Sequence, residues 1–440
     1  MQPDAGQGAS GTAPGAPARD LKGWLAYLEQ LHSKPIDLGL ERVRDVLERL
    51  PTARKVPVIT VGGTNGKGST TAYLEAILQA AGYRVGCYTS PHLLRYNERM
   101  RVNARLASDA EIVAAFTQVE AVRGNTPLTY FEFGTLAALQ HFQVSAVDVL
   151  VLEVGLGGRL DAVNVIDPDC AVVTSVALDH MEFLGPDRES IAGEKAGIFR
   201  AGRPAIFGES DVPERLRQHA EAIGAQFWHA GRDFRHESTP SQWNFHGPWG
   251  TQYALPYPAL RGAYQLDNAV CALMALGSLQ HVLPVAQQHV REGLVRVNLP
   301  ARLQVLPGRP AVILDVAHNP HAATALSRSL ARMAGFKRTH LVLGMLQDKD
   351  IAGVTALFAD LADDWYLCDL PPPRGASAAQ VCAALPPGKA QVRQFATPAE
   401  AVQAALAAAT EDDRVVAFGS FLTVAAVMEA LGRTDGAWTP

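Results

Sequence analysis

The run Val58 to Thr71, VITVGGTNGKGSTT, sets a β-rich stretch, a glycine-rich turn and a lysine in the order that phosphate chemistry needs. Glycines let successive backbone N–H groups curl around a phosphate, a helix start adds positive potential, and Lys67 neutralises the β and γ oxygens. Leu74, Ile77, Leu78 and Ala81 recur at helical spacing ahead of Gly82, so the spacing predicts a helix directly after the loop. Ser69 or Thr70 can then face a magnesium ion. A glycine between Lys67 and Ser69, and Val61 where a first glycine is usual, set this loop apart from the standard Walker pattern. Glu153 closes VDVLVLEV, a run too apolar to hold a carboxylate without purpose, and the glycines of GLGG behind it open room for a ligand. Its hard oxygens suit magnesium, which completes its octahedron with water and nucleotide phosphate. Near the far end, AVILDVAHNPHA (311–322) reads as a strand presenting Asp315, His318 and Asn319 before a helix opened by Pro320.

These groups must be held by parallel α/β sheets. Runs rich in β-branched residues at 56–61, 147–154, 170–176, 311–316, 341–343 and 414–418 alternate with helical patterns. Residues 243–257 are aromatic and proline-rich, which predicts a small β excursion, followed by two amphipathic helices near 266–282 and 284–297. Two prolines and a glycine interrupt LPARLQVLPGRP (299–310), and a domain boundary is expected there, dividing 20–298 from 299–440. Residues 1–19, almost all Gly, Ala, Pro and other small or polar types, are expected to form a disordered tail. With 440 residues, 48% of them hydrophobic, two or three domains are the expectation. A net charge of -5 offers no basic field for nucleic acid or an anionic membrane. The five cysteines are widely spaced without a CxxC pair, and no apolar run approaches a membrane span, so a cytoplasmic enzyme with a small-molecule substrate is expected.

The string GTNGKGST resembles the Mur ligase superfamily and, within it, the folylpolyglutamate synthases. LHSKPIDLGLERV (31–43), TSPHLLRYNERMRV (89–102), LTYFEFGTL (128–136), LEVGLGGRLDAVN (152–164), TSVALDHMEFLG (174–185), EKAGIFR (194–200) and LDVAHNPHA (314–322) extend the likeness in order, and it looks closest to the bacterial type that joins dihydrofolate synthase to folylpolyglutamate synthase. The resemblance implies a P-loop Mur-ligase-type ATPase domain with a parallel sheet plus a C-terminal Rossmann-like α/β domain. It implies that Thr64, Asn65, Gly66, Lys67, Gly68 and Ser69, with Asn268, Arg302 and Asp315 from the other side, hold ATP. Ser90, Glu153 and His180 would bind magnesium, and a carbamylated Lys195 would serve a second magnesium; an ordinary salt bridge with Glu194 or Glu189 is the other reading of Lys195. His318 would lie near the γ-phosphate and the glutamate. Thr129, Tyr130, Phe131 and Glu132, with Leu160, Asp161 and Ala162, would contact the pteroate, under cover of the 31–43 loop.

The expected chemistry is ATP-dependent: a carboxylate attacks the γ-phosphorus, and the acyl phosphate is captured by the amine of L-glutamate. Dihydropteroate and tetrahydrofolate are the expected acceptors, with a monomeric chain and, by resemblance, assistance from a monovalent cation such as potassium. Arg95, Arg99 and Arg159 are all open as the residue that grips the incoming glutamate. Three other readings stand beside this one: lengthening of polyglutamate alone, a peptidoglycan-type amino-acid ligase, and a non-catalytic nucleotide switch. Only about 60 residues precede the loop, too few for the extra N-terminal domain that peptidoglycan-type ligases usually carry.

Overall fold

The computed structural model describes residues 19–51 and 55–433, so the expected tail at 1–19 lies almost wholly outside the described residues. A first sheet is built from β1 (Val58–Gly62), β2 (Val85–Tyr88), β3 (Met100–Val102), β4 (Arg105–Leu106), β5 (Val149–Glu153), β6 (Cys170–Val173), β7 (Pro204–Phe207) and β8 (Gln226–His229). Its order is β4-β3-β2-β5-β1-β6-β7-β8, parallel except where β3 and β4 run antiparallel. The central strands are buried on both faces, which is why they read as continuous rather than alternating apolar runs. One face packs Ile59, Val61 and Val172 against the helices Lys67–Ala80 and Tyr264–Ser278; the other is filled by Trp24, Val43, Phe116 and Phe133. Each such side chain, fully buried, stabilises the fold by roughly 1.5–3 kcal/mol.

The expected β excursion is a three-stranded antiparallel sheet of β9 (Arg235–Ser238), β10 (Trp243–Gly247) and β11 (Gly250–Leu255). It explains a difference from the sequence reading. The helix Tyr264–Ser278 is not two-faced but buried along most of its length, because Phe245 and Leu255 cover the side that the first sheet leaves open. The second expected helix is shorter, Gln287–Arg296, and packs its Gly293 directly on Ile77; a Cβ there would stand 2.6 Å from the Ile77 Cα.

A second sheet holds β12 (Gln304–Leu306), β13 (Ala311–Leu314), β14 (Thr339–Leu343), β15 (Asp364–Cys368), β16 (Gln391–Phe395) and β17 (Arg414–Phe418) in the order β12-β13-β17-β14-β15-β16. All pairs are parallel except β12 with β13. The sequence reading took 299–310 as a pure interruption; the short strand β12 lies inside it, formed by backbone pairing with β13 that a proline-flanked triplet does not announce. The five cysteines are free, four of them buried and Cys382 half-buried.

Candidate active site

β1 runs straight into the glycine loop, and Gly66, in the left-handed region at φ 86°, hands the chain to the helix that begins at Lys67. No side chain fits at Gly66: a Cβ would stand 2.2 Å from Asn268 Oδ1, so Asn268 lies directly on the loop. The loop is pinned from the residues just after β6, where Ser175 Oγ accepts from Asn65 N at 2.9 Å and Thr174 Oγ1 donates to the Asn65 carbonyl at 2.6 Å. Thr64 Oγ1 exchanges hydrogen bonds with the backbone of Ala177. Lys67 Nζ donates to the Gly63 and Thr64 carbonyls at 2.9 and 3.1 Å. Burial pushes its pKa down while Glu153 and Asp179 pull it up, with a net lowering. The hydroxyls of Ser69 and Thr70 are buried and turn toward the helix Tyr264–Ser278, Ser69 accepting from Gln265 Nε2 and Thr70 donating to the Asn268 carbonyl.

The pairing of Val61 with Glu153 across β1 and β5 brings that carboxylate beside the loop. Glu153 is 4% exposed; Oε2 accepts from Ser90 N at 3.2 Å, and Oε1 has no hydrogen-bond donor among the described residues. Burial raises its pKa, and Lys67, Ser90 N and Arg302 oppose this only in part. His180 follows β6 at φ 51° and caps no backbone group. Burial brings its pKa down to about 4, so it is a neutral imidazole with a lone pair to offer. Lys195, in the last turn of the helix Arg188–Ala196, is 4% exposed, and its ammonium has no hydrogen-bond or ion-pair partner among the described residues. The salt bridge of the other reading is absent, because Glu194 pairs with Arg159 at 2.8 Å and Glu189 accepts from the backbone of Glu214 and Arg215. Burial, aided by Lys67, lowers the Lys195 pKa to about 7.

The donor set fits a magnesium nucleotide: a buried carboxylate oxygen without a donor, a neutral imidazole, and a buried amine without a paired carboxylate. No group of three or more His, Cys, Asp or Glu side chains among the described residues forms an all-protein cage, and magnesium bound through phosphates and water needs none.

The second sheet supplies the facing wall. Gly68 lies between the two walls: a Cβ there would be in van der Waals contact with Arg302 Nη2 at 3.5 Å and Glu153 Oε1 at 3.9 Å. The resulting cavity is lined by Gly68, Ser90, Glu153, Leu299, Arg302 and Phe421. Arg302 lies over the Phe421 ring at 5.4 Å. Asp315, 5% exposed at the end of β13, accepts from Leu303 N at 2.7 Å and Ala317 N at 2.8 Å, which fixes the turn that carries Arg302. Burial raises its pKa against the opposing pull of Arg302. His318 Nδ1 donates to the Val316 carbonyl at 2.8 Å, leaving Nε2 toward Asp179 at 3.5 Å. Asn319 caps the helix Pro320–Arg332 as expected.

The residues expected at a pteroate lie next to this cleft. Thr129 and Glu132 form a reciprocal cap on the helix Tyr130–Val144. Glu132 also accepts from Arg42 at 2.9 Å, and Arg42 pairs with Asp37, so the 31–43 loop is tied to this helix start. The Phe131 ring lies on Gly155, where a Cβ would come within 2.6 Å, just past Glu153. Asp161 Oδ2 accepts from Leu156 N and Oδ1 from Val163 N; burial nevertheless raises its pKa to about 6. Leu160 and Ala162 flank it at the start of a 3-10 turn. Of the three open arginines, Arg159 is spent on Glu194 at the surface, while Arg99 is buried over the Tyr96 and Tyr130 rings, its Nε bonded to His92 Nδ1.

Asp179 and Lys349 escaped the sequence reading as functional residues. Asp179 accepts from Lys349 Nζ at 2.6 Å and from Asn319 Nδ2 at 3.0 Å. Burial pushes its pKa up, but His318, His180 and Lys349 outweigh this and hold it well below the usual carboxylate range. Lys349 sits in a loop whose residues, LQDKD, carry no pattern that marks one lysine out.

Residues 61–276 match the Mur ligase middle domain, and 301–421 the glutamate ligase domain of Mur ligases. A dihydrofolate synthase/folylpolyglutamate synthase of Escherichia coli is 48% identical over 94% of this chain and 96% of its own. The chain belongs to this branch of the Mur ligases. A Haemophilus influenzae dihydrofolate synthase/folylpolyglutamate synthase is 40% identical over 92% of this chain and 96% of its own. Among solved structures, Escherichia coli FolC in complex with DHPP and ADP superposes with a TM-score of 0.90 at 47% identity, covering 94% of this chain and 98% of that one. A bifunctional folylpolyglutamate synthase/dihydrofolate synthase with Mn, AMPPNP and L-glutamate bound reaches 0.87 at 47% identity, over 94% and 98%. No helix among the described residues is long and apolar enough to cross a membrane.

Proposed function

We propose that this Mur ligase joins L-glutamate to dihydropteroate, forming dihydrofolate, and to tetrahydrofolate, forming folylpolyglutamates, at the expense of ATP. The observation that carries the reading is the approach of Glu153 and Arg302 to Gly68 from the two sheets, around a cavity that Ser90, Leu299 and Phe421 also line, with Lys67 close enough to both to shift in pKa with them. Two anions, a substrate carboxylate and the γ-phosphate, must meet before any bond forms, and the cations of both walls lower that repulsion. Thr64 to Ser69 and Lys67 hold the phosphates, and Asn268, Arg302 and Asp315 hold the rest of the nucleotide. Glu153, Ser90, His180 and carbamylated Lys195 hold two divalent ions, which supply charge neutralisation and alignment when bound. The carboxylate attacks the γ-phosphorus, ADP leaves, and the glutamate amine displaces phosphate from the acyl phosphate. His318, whose Nε2 faces Asp179, would lie near the γ-phosphate and the incoming glutamate. The 31–43 loop, held by Arg42 on Glu132, covers the pteroate at Thr129 to Glu132 and Leu160 to Ala162.

We assign 20–298 to the ATPase and folate-binding domain and 299–440 to the glutamate ligase domain. The free thiols suit a reducing cytoplasm, and we read the chain as a monomer, with a monovalent cation such as potassium as a further aid. The test is incubation with ATP, magnesium and glutamate, offering dihydropteroate and tetrahydrofolate separately. Phosphate release that needs both cosubstrates, with an amide product from each acceptor, is expected. A product from tetrahydrofolate alone would leave only polyglutamate lengthening, and phosphate release that ignores both would return the chain to a nucleotide switch.

Asp315 yields a narrower expectation. Its carboxylate fixes the Leu303 backbone beside Arg302, and in this reading it also holds the nucleotide. Asp315→Ala should raise the KM for ATP by at least about tenfold while leaving the KM for dihydropteroate within about twofold. Steady-state kinetics with each substrate varied checks this, and equal changes in the two constants would count against the assignment.

A further inference from the structure

The loop that would cover the acceptor has little of its own to hold it down. Ser33, Lys34, Pro35 and Ile36 are exposed in succession. Residues 33–39 form no helix or strand, and none of them joins the apolar cluster that Trp24, Val43 and Phe133 build beside them. The ties that the structure does show are polar, and they meet at Arg42 in the first turn of the helix Glu41–Arg49. On the loop side, Arg42 donates to the Asp37 carbonyl at 2.6 Å and pairs with the Asp37 carboxylate at 2.8 Å. On the other side, its Nη2 and Nε reach Glu132 Oε1 at 2.9 and 3.2 Å. Glu132 is 4% exposed, and its other oxygen accepts from Thr129 N at 2.7 Å, so this carboxylate is a fixed anchor. A planar guanidinium between two carboxylates is a directional tie, which an amine on a flexible stem reproduces only in part.

We infer that Arg42 is a positioning residue for the acceptor: by tying Asp37 to Glu132 it holds the 31–43 loop shut over Thr129 to Glu132, and its loss weakens acceptor binding without weakening nucleotide binding. This rests on the ligase reading above. An acceptor that needs the shut loop has its affinity scaled by the fraction of time the loop is shut, so a loop shut one tenth of the time binds about tenfold more weakly. The nucleotide half is insulated from this. Among the described residues, Lys67, Asn268, Arg302 and Asp315 share no hydrogen bond with Arg42, Asp37 or Glu132.

The experiment compares the full chain with Arg42→Met, Arg42→Lys and Asp37→Asn, varying dihydropteroate, ATP and glutamate separately in steady-state kinetics. Thermal unfolding and thermolysin cleavage without substrates are followed in parallel. Arg42→Met should raise the KM for dihydropteroate about tenfold and leave the KM for ATP, and kcat at saturating acceptor, within about twofold. Arg42→Lys should restore part of the difference. Asp37→Asn, which keeps the bond to the Asp37 carbonyl, should raise the same KM by less than Arg42→Met does. Cleavage within 33–40 tracks the open population and needs no ligase chemistry; it should be about tenfold faster in Arg42→Met. Direct contact of Arg42 with the acceptor would raise the KM and leave cleavage unchanged, whereas a merely structural arginine would lower the melting temperature and shift the constants for ATP and dihydropteroate alike. Either result, or an unaltered KM for dihydropteroate, would overturn the inference. Absence of amide from the wild-type chain would remove the ligase reading and the acceptor role with it, and faster cleavage of Arg42→Met would then place the failure in that reading and not in the tie.

Discussion

Lys195→Ala is expected to lower ligation about 1,000-fold, and millimolar formate or acetate should return about tenfold of it. The argument starts from an imbalance. The Lys195 ammonium is buried with no hydrogen-bond acceptor among the described residues, and another cation, Lys67, lies close enough to lower its pKa further, against the weaker opposing pull of Asp179 and Asp161. An ammonium in that place loses more by burial than those two carboxylates return. A neutral amine can attack the carbon of carbon dioxide and lose a proton, which turns the side chain into a carboxylate and reverses the sign of its interaction with Lys67. The pKa of about 7 sets the pH window: above it the amine is mostly neutral and the carbamate can form, whereas acidification through it returns the ammonium. Activity in carbon dioxide-depleted buffer should therefore fall as pH drops through about 7, and added bicarbonate should restore it. Lys195→Arg keeps a cation and should be as impaired as the alanine variant. Near-normal turnover by Lys195→Ala without any response to small carboxylates would remove the carbamate from this site.

What the chain declares in its sequence and what it conceals divide along contact distance. The phosphate loop is legible because strand, glycines, lysine and helix are consecutive, and each imposes its own local geometry. Glu153 is legible because a carboxylate ending an apolar run has to be explained by something. The helix Tyr264–Ser278 is only half legible: its length is evident, but its outer face is apolar for the sake of β10 and β11, which return to it from another part of the chain. Ser69 and Thr70 fit a Walker-type reading by spacing, yet their hydroxyls meet Gln265 and Asn268, partners nearly two hundred positions away. Lys349 and Asp179 are hidden for the same reason. Their contact spans 170 positions and two sheets, so no periodicity, cap or turn signal in either segment encodes it.

Glu153→Gln separates a functional carboxylate from a structural one, because its effects on activity and on stability should run in opposite directions. The side chain is 4% exposed and its pKa is raised by burial, which Lys67 and Arg302 do not fully offset, so the folded protein bears a cost for keeping it ionised. Its sign follows directly. With the folded pKa above the unfolded one, the native state binds more protons between the two values, and the Glu153 contribution to stability falls as pH rises through that window. Glutamine retains the carbonyl that accepts from Ser90 N and removes the charge. The melting temperature of the variant at neutral pH should accordingly be unchanged or higher, by the equivalent of about 1 kcal/mol. Ligation should fall about 1,000-fold, because a neutral amide is a poor ligand for a hard divalent ion and the γ-phosphate then meets the substrate carboxylate with less charge cancelled. Excess magnesium should recover part of the rate. A glutamine variant that unfolds more readily and keeps its turnover per folded molecule would mean that Glu153 serves the fold through Lys67, and the metal would have to be sought elsewhere along the cleft.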